Sequence, residues 1–377
     1  MALALPVIAC SVACSAGGAG SKATTSTFAG QGGASSGSGL GGDQGNSSSS
    51  GLGGLGLTGP AGSTGAGGDA GRASRCDDAG NCSCINIASI GHEGVWGPCS
   101  SDSTTALQNW LNTQSTAKVD NYDTTKPTLT PAFLAQYDVL ILQWMVENGK
   151  QNDDGAAWVF SPAEISALEA WTKAGGGIIA LSGYQCNGQG CTIYDTAAPN
   201  QLLSFTDISY NNDDVLDDTG SDYYCWGGAV PLGGPVQVPA GGDAGPISPS
   251  VAPSFGSWDQ SSPIGAHIND VGAYIGRSIN STTATVDNTD GTHKYAVHEQ
   301  VGQGHVFVFG DEWVTYSGEW LGTASCISPS MFTSPYDPCY EKSAAQVFQL
   351  PQFWYNAIKY ASSSVQCFNI MNPTIIQ

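Results

Sequence analysis

Four short stretches of the sequence carry side chains suited to chemistry: His92, Glu93 and Trp96; Trp144 and Glu147; Ser182 and Tyr184; and Asp311, Glu312 and Trp313. Three readings fit them. A serine nucleophile needs a base within hydrogen-bond reach and a third group to orient that base, and Ser182, His92 and Asp311 supply those types. The G-x-S-x-G pattern of a nucleophile elbow is absent, because Ser182 sits in Ala180-Leu181-Ser182-Gly183-Tyr184. Glycoside hydrolysis instead needs two carboxyls at a set separation, for which Glu93 pairs with Asp311 or Glu312. The same carboxylates with His92 are also a metal-ligand set. In the third reading the groups bind without reacting. Indole and phenol rings suit sugar faces, while acids and amides bond hydroxyls.

Composition narrows the partners. Lys plus Arg number 11 against 32 Asp plus Glu, a formal net charge of −21. Nucleic acid is excluded, since its binding needs a basic footprint to displace counterions. An anionic membrane surface is excluded on the same ground. Twelve cysteines fit a disulfide-permissive compartment. Their spacings lack the paired pattern of a zinc site. Asp287 and Asp290 fail the D-x-[DN]-x-[DN]-G pattern of a calcium loop. Neither a metal nor a cofactor is expected.

The candidate groups follow apolar runs that must position them. Ile85–Ile90 reads as a strand, and Ala106, Leu107, Trp110 and Leu111 as a helix behind the cap Ser101-Asp102-Ser103. Val139-Leu140-Ile141-Leu142 and Ile178-Ile179-Ala180-Leu181 read as strands buried on both faces of a parallel sheet. Between them, Ser161-Pro162-Ala163-Glu164 is a capping box with Pro at the first helical position. Gly175-Gly176-Gly177 ends that helix. This alternation predicts an α/β fold: a flavodoxin-like, open, mostly parallel sheet with helices on both faces. The second half reads as antiparallel. A hairpin turns at Asp290-Gly291, His305–Gly310 is a buried strand, and an amphipathic helix runs through Phe353, Trp354, Ala357, Ile358 and Ala361. In open α/β sheets ligands bind beyond the carboxyl ends of the strands, where all four candidate stretches fall.

The segments AQYDVLIL, AGGGIIALSGY and VGQGHVFVFGDEW, with the capped helix, resemble the class I glutamine amidotransferase-like fold over roughly residues 84–361. The likeness is to its non-amidotransferase branches, the ThuA-like and beta-galactosidase middle domains. That resemblance implies a catalytic elbow after the Gly-rich strand and acidic or His residues after the last strand. Two departures stand out. An active glutaminase elbow reads G-x-C-x-G, and no Cys stands at this turn. The His-x-Glu pair is replaced by Asp311-Glu312-Trp313. The resemblance thus implies the fold without glutamine amidotransfer.

Residues 1–14 read as a signal peptide, with an apolar stretch too short to span a bilayer. Val7-Ile8-Ala9-Cys10 and Ser11-Val12-Ala13-Cys14 both resemble a bacterial lipobox. Residue types favour Cys10; position and cysteine parity favour Cys14. Residues 15–75 form a Gly/Ser-rich tether with a root-mean-square span of roughly 40–45 Å, ahead of a single domain over 76–377. Cys186 with Cys191 and Cys326 with Cys339 are the expected disulfides. Cys76, Cys82, Cys84 and Cys99 pair among themselves, leaving Cys225 and Cys367 to each other or to that cluster. The expectation is an exported, cell-envelope module, held to the membrane by a lipid anchor only. It binds a carbohydrate or a protein partner, with a carbohydrate or ester hydrolase as the alternative.

Overall fold

The apolar runs form one sheet. Its eight strands lie in the order β2 (Lys118–Tyr122), β1 (Asn86–Ile90), β3 (Val139–Leu142), β4 (Gly177–Leu181), β12 (Gly304–Phe309), β11 (Lys294–Val301), β10 (Thr285–Thr289) and β7 (Ser257–Trp258). From β2 to β12 all neighbours are parallel; from β12 to β7 they are antiparallel. Two small antiparallel pairs flank this sheet, β5 (Ser209–Tyr210) with β9 (Ile279–Asn280) and β6 (Val230–Gly233) with β8 (Asp270–Ala273). This computed structural model describes residues 83–91, 105–147, 157–181, 196–213, 215, 230–233, 256–273, 276–315, 348–363 and 368–374. All lie in the unit Gly67–Gln377.

Alternation along the strands divides the core into two layers. Ile87, Val139, Ile141, Ile179, Leu181, Phe307 and Phe309 face α1 (Thr105–Gln114) and α5 (Leu350–Ala361), meeting Leu107, Leu111, Phe353 and Ile358. Ala88, Ile90, Leu140, Leu142, Ile178, Ala180, Val306 and Val308 face the other way. They meet Leu134 of α2 (Pro131–Leu134), Leu168 of α3 (Pro162–Lys173) and Leu202 of α4 (Ala197–Leu202). The continuous apolar runs follow from this double coverage. Helices cover both faces, as the sequence implies. Gly177 must lack a side chain, because a Cβ there would lie 2.1 Å from the Ala361 carbonyl of α5.

Both reciprocal bonds of the Ser161/Glu164 capping box form. Glu164 Oε2 accepts from the Ser161 amide (2.9 Å), while Oε1 accepts from Lys126 Nζ (2.7 Å) and the Leu129 amide (3.2 Å). One carboxylate therefore starts α3 and ties it to the segment before α2. The Asp290-Gly291 hairpin also forms, with Asp290 Oδ1 accepting from the Thr292 and His293 amides. Strand β2 is missing from the sequence reading. Its residues, KVDNY, line a sheet edge and are partly exposed, so no apolar run marks them.

Burial alone would raise the Glu164 pKa; the bonds from Lys126, Ser161 and Leu129 outweigh it and hold the carboxyl at about 2. A carboxylate depressed in the folded state stabilises it above the unfolded value, and that gain is lost as pH falls toward 2. Glu164→Gln is expected to cost about 1.5–3 kcal/mol at pH 7, with the difference closing near pH 2. Urea denaturation at the two pH values measures it.

Candidate functional site

The strand order reverses between β1 and β3. The chain leaves β1 for α1 on one face of the sheet and leaves β3 for α3 on the other. Beyond the carboxyl ends of two such diverging strands lies the usual ligand position in open α/β sheets. Gly91, at φ +106°, closes β1, and a Cβ there would sit 2.8 Å from the Trp144 carbonyl. Only glycine lets the two strand ends approach so closely. The Gln143 amide donates to the Ile90 carbonyl (2.9 Å), extending the pairing one residue past β3. Trp158 N to Met145 O (2.8 Å) and a Val146–Ala157 bridge then hold the chain that carries Trp144.

Gln143 is fully buried, and Trp144 is 3 % exposed. Gln143 Nε2 donates to Ser89 Oγ (2.6 Å) on β1. Gln143 Oε1 and Trp144 Nε1, by contrast, are buried with no hydrogen-bond partner. Leaving such a group unmet costs about 1–3 kcal/mol, so native proteins rarely do so without a reason. Trp144 is thus not an open stacking platform; its contribution is an indole N–H. Glu147, three residues on, is exposed.

Two strands away from β3, the end of β12 places Asp311 and Glu312, both buried. The Glu312 carbonyl accepts from Thr315 N (2.9 Å) and Oγ1 (2.8 Å), forming a short turn over Trp313–Thr315. Trp354 Nε1 of α5 bonds the Val314 carbonyl (3.0 Å), locking this turn to the helix. Strand β8 packs against the same turn. His92, Glu93, Trp96, Ser182 and Tyr184 lie outside the described residues, as do the Trp313 side chain, Cys10, Cys14, Cys186, Cys191, Cys326 and Cys339. Cys84 is disulfide-bonded. Among the described residues, no group of three or more His, Cys, Asp and Glu is placed to hold a metal.

Two features escaped the sequence reading. His298 on β11 places Nδ1 2.8 and 2.9 Å from the oxygens of buried Asp287, which also accepts from Ser262 Oγ (2.5 Å). Burial pushes the Asp287 carboxyl up, and the bonds from His298 and Ser262 oppose it. This is a base with its orienter. No nucleophilic hydroxyl among the described residues bonds its Nε2, and β4 and β12 separate it from the end of β3. The contact arises where β10 departs from regular register between Val286 and Asn288, which spacing alone cannot reveal.

The second is Asp270. Its Oδ1 is buried without a partner, and burial pushes its pKa up to about 7.

No protein-family model matches the sequence, and no curated protein does. Solved structures with a similar chain course include the cytoplasmic protein STM1381 from Salmonella typhimurium LT2, at TM-score 0.40 and 13 % identity over 74 % of this chain and 99 % of that one. A ThuA-like protein from Bacteroides uniformis follows at 0.34 and 9 %, covering 76 % and 95 %. A beta-galactosidase from Bacillus circulans stands at 0.33 and 11 %, covering 66 % and 31 %. Both branches named from the sequence are therefore among the structural neighbours. These likenesses assign no activity to this chain.

A carboxyl raised in the folded state favours folding while protonated, and that stability is lost as pH rises from about 4 through 7. Asp270→Asn is expected to match the parent near pH 4 and to exceed its Tm at pH 8 by roughly 2–4 °C, about 1 kcal/mol. Thermal melts across that range decide it.

Proposed function

We propose that this chain is an exported, non-catalytic binding module for a carbohydrate or a protein partner, held at the cell envelope by a lipid on Cys14 or Cys10. Residues 1–14 act as signal peptide and 15–75 as a flexible tether. Residues 76–377 form one disulfide-bearing domain on a flavodoxin-like, amidotransferase-like sheet without the catalytic Cys. The lipobox-like residues, the cysteine count and the disulfide at Cys84 support export.

The observation that carries the binding reading is the pair of unmet polar atoms, Gln143 Oε1 and Trp144 Nε1, at the β1/β3 switch point. Hydrogen-bonding capacity held inside the fold and not spent on the fold is available to a ligand. The hydrolase reading draws on one observation, Asp270, whose carboxyl carries its proton near neutral pH as a general acid must. It sits on β8, against the turn that follows Asp311 and Glu312.

The two readings separate in one experiment. The full chain, applied to a glycan array, is expected to bind a subset of glycans. Prolonged incubation with the bound glycans should leave them intact by mass spectrometry. Appearance of cleaved products would replace the module with a hydrolase.

A further inference from the structure

Cys84 stands just before β1, 7 % exposed and within the core layer that faces α1 and α5. It is disulfide-bonded, and the chain around it is held residue by residue. The Cys84 amide donates to Thr116 Oγ1 (3.0 Å), Lys118 N donates to the Ile85 carbonyl (3.1 Å), and the Asn86 amide donates to Asp138 Oδ2 (2.9 Å). Ile85 takes φ +77°, a conformation that a β-branched residue keeps only where its surroundings impose it. The segment that follows α5 reaches the same place. Met371 N donates to the Gln114 carbonyl (3.1 Å), and Asn369 Nδ2 donates to Thr116 Oγ1 (3.2 Å). This segment therefore runs antiparallel to residues 114–116. Ile370 is buried in the core layer that holds Cys84, and Phe368 packs against it. We infer that the disulfide partner of Cys84 is Cys367, a cross-link that joins the start of β1 to the segment following α5. This rests on the exported, disulfide-bearing domain proposed above and is independent of what the domain binds.

Position 367 lies outside the described residues, and its neighbours bound it. Met371 stands opposite Gln114 and Asn369 opposite Thr116. One more step of that register sets 367 opposite Lys118, whose amide holds Ile85 beside Cys84. Burial alternates from Phe368 to Met371, so 367 shares the side of Asn369, which addresses Thr116 and thus the Cys84 amide. Topology sets aside most other partners. Cys84 lies at the amino edge of the parallel strands, and α5 returns the chain to that edge, its Ala361 carbonyl against Gly177 at the start of β4. Cys99, Cys186, Cys191, Cys225, Cys326 and Cys339 fall in segments whose described ends lie toward the carboxyl edge. A five-residue strand separates the two edges by about 15 Å, whereas bridged Cα atoms stand about 4.4–6.8 Å apart. Cys76 and Cys82, in the approach to Cys84, are the remaining competitors. Closing the bridge takes two electrons and two protons from the two thiols. A disulfide-bearing oxidant of the exporting compartment accepts them and leaves as a dithiol.

The test maps disulfides in the full chain after export, with free thiols blocked by iodoacetamide before unfolding. Trypsin cuts after Arg75, Lys118 and Lys359, so the pairing predicts that the peptide 76–118 stays joined to the peptide 360–377 until reduction. Tandem mass spectrometry should then place the bond at Cys84 rather than at Cys76, Cys82 or Cys99. Cys84 joined to any other cysteine overturns the inference. All cysteines found alkylated would defeat the disulfide-bearing domain itself, and the pairing with it. A second measurement asks whether the two residues act as a unit. The bridge closes a loop of nearly the whole domain, so Cys367→Ala should expose Cys84 to the reagent and lower Tm by roughly 5–10 °C. Adding Cys84→Ala should lower it little further, because the bond is already gone. Two losses that add in full overturn the pairing. Should a variant fail to fold, the mapping of the parent still decides.

Discussion

β12 pairs with β4 from His305 against Gly177 to Phe309 against Leu181, joining segments far apart in the chain. The remaining architecture depends on that junction. It is where the parallel half of the sheet meets the antiparallel half, because β12 has β4 on one side and β11 on the other. Closure entropy grows only slowly with the length of the intervening chain, so a long insertion between the two strands is tolerable. Burial of Ile178, Ala180, Val306 and Val308 on one face, and of Ile179, Leu181, Phe307 and Phe309 on the other, supplies the compensating gain. Helix α5 then crosses both strands, close enough that Gly177 cannot carry a side chain.

The same junction sets the edge that carries the candidate groups. By extending the parallel order past β4, it brings Asp311 and Glu312 to the end of the sheet where β1 and β3 also end. The turn at Trp313–Thr315 is fixed from one side by Trp354 of α5 and packed by β8. The ends of β1 and β3 are fixed separately, by the Gln143 amide on the Ile90 carbonyl and by the close approach at Gly91. Gln143 and Trp144 follow directly on a regular strand.

Much of this frame can be read in the residues. VLIL, GIIAL and VFVF are apolar without interruption because both faces are covered, and Ser161-Pro162-Ala163-Glu164 forms its capping box from local contacts alone. Legibility ends where tertiary contact decides. KVDNY pairs as an edge strand although no apolar run marks it. His298 on β11 reaches Asp287 on the neighbouring β10 at an irregular register. Asp270 owes its raised pKa to desolvation within the fold. Trp144 stood out as an aromatic residue past a strand end, but its burial and unmet N–H are properties of the packing. Gln143 follows an apolar run, a signal that marks a strand end and says nothing of an unspent acceptor.

The central claim is that the carboxyl ends of β1 and β3, where Gln143 Oε1 and Trp144 Nε1 have no hydrogen-bond partner, mark the binding site. Nitrogen-15 NMR of the full chain during titration with neutral hexose tetrasaccharides tests it most directly. The indole N–H signal of Trp144, identified by its absence in Trp144→Phe, should shift as hydrogen bonding begins. A Trp144 signal that stays fixed while other resonances move would place the ligand elsewhere and contradict the account.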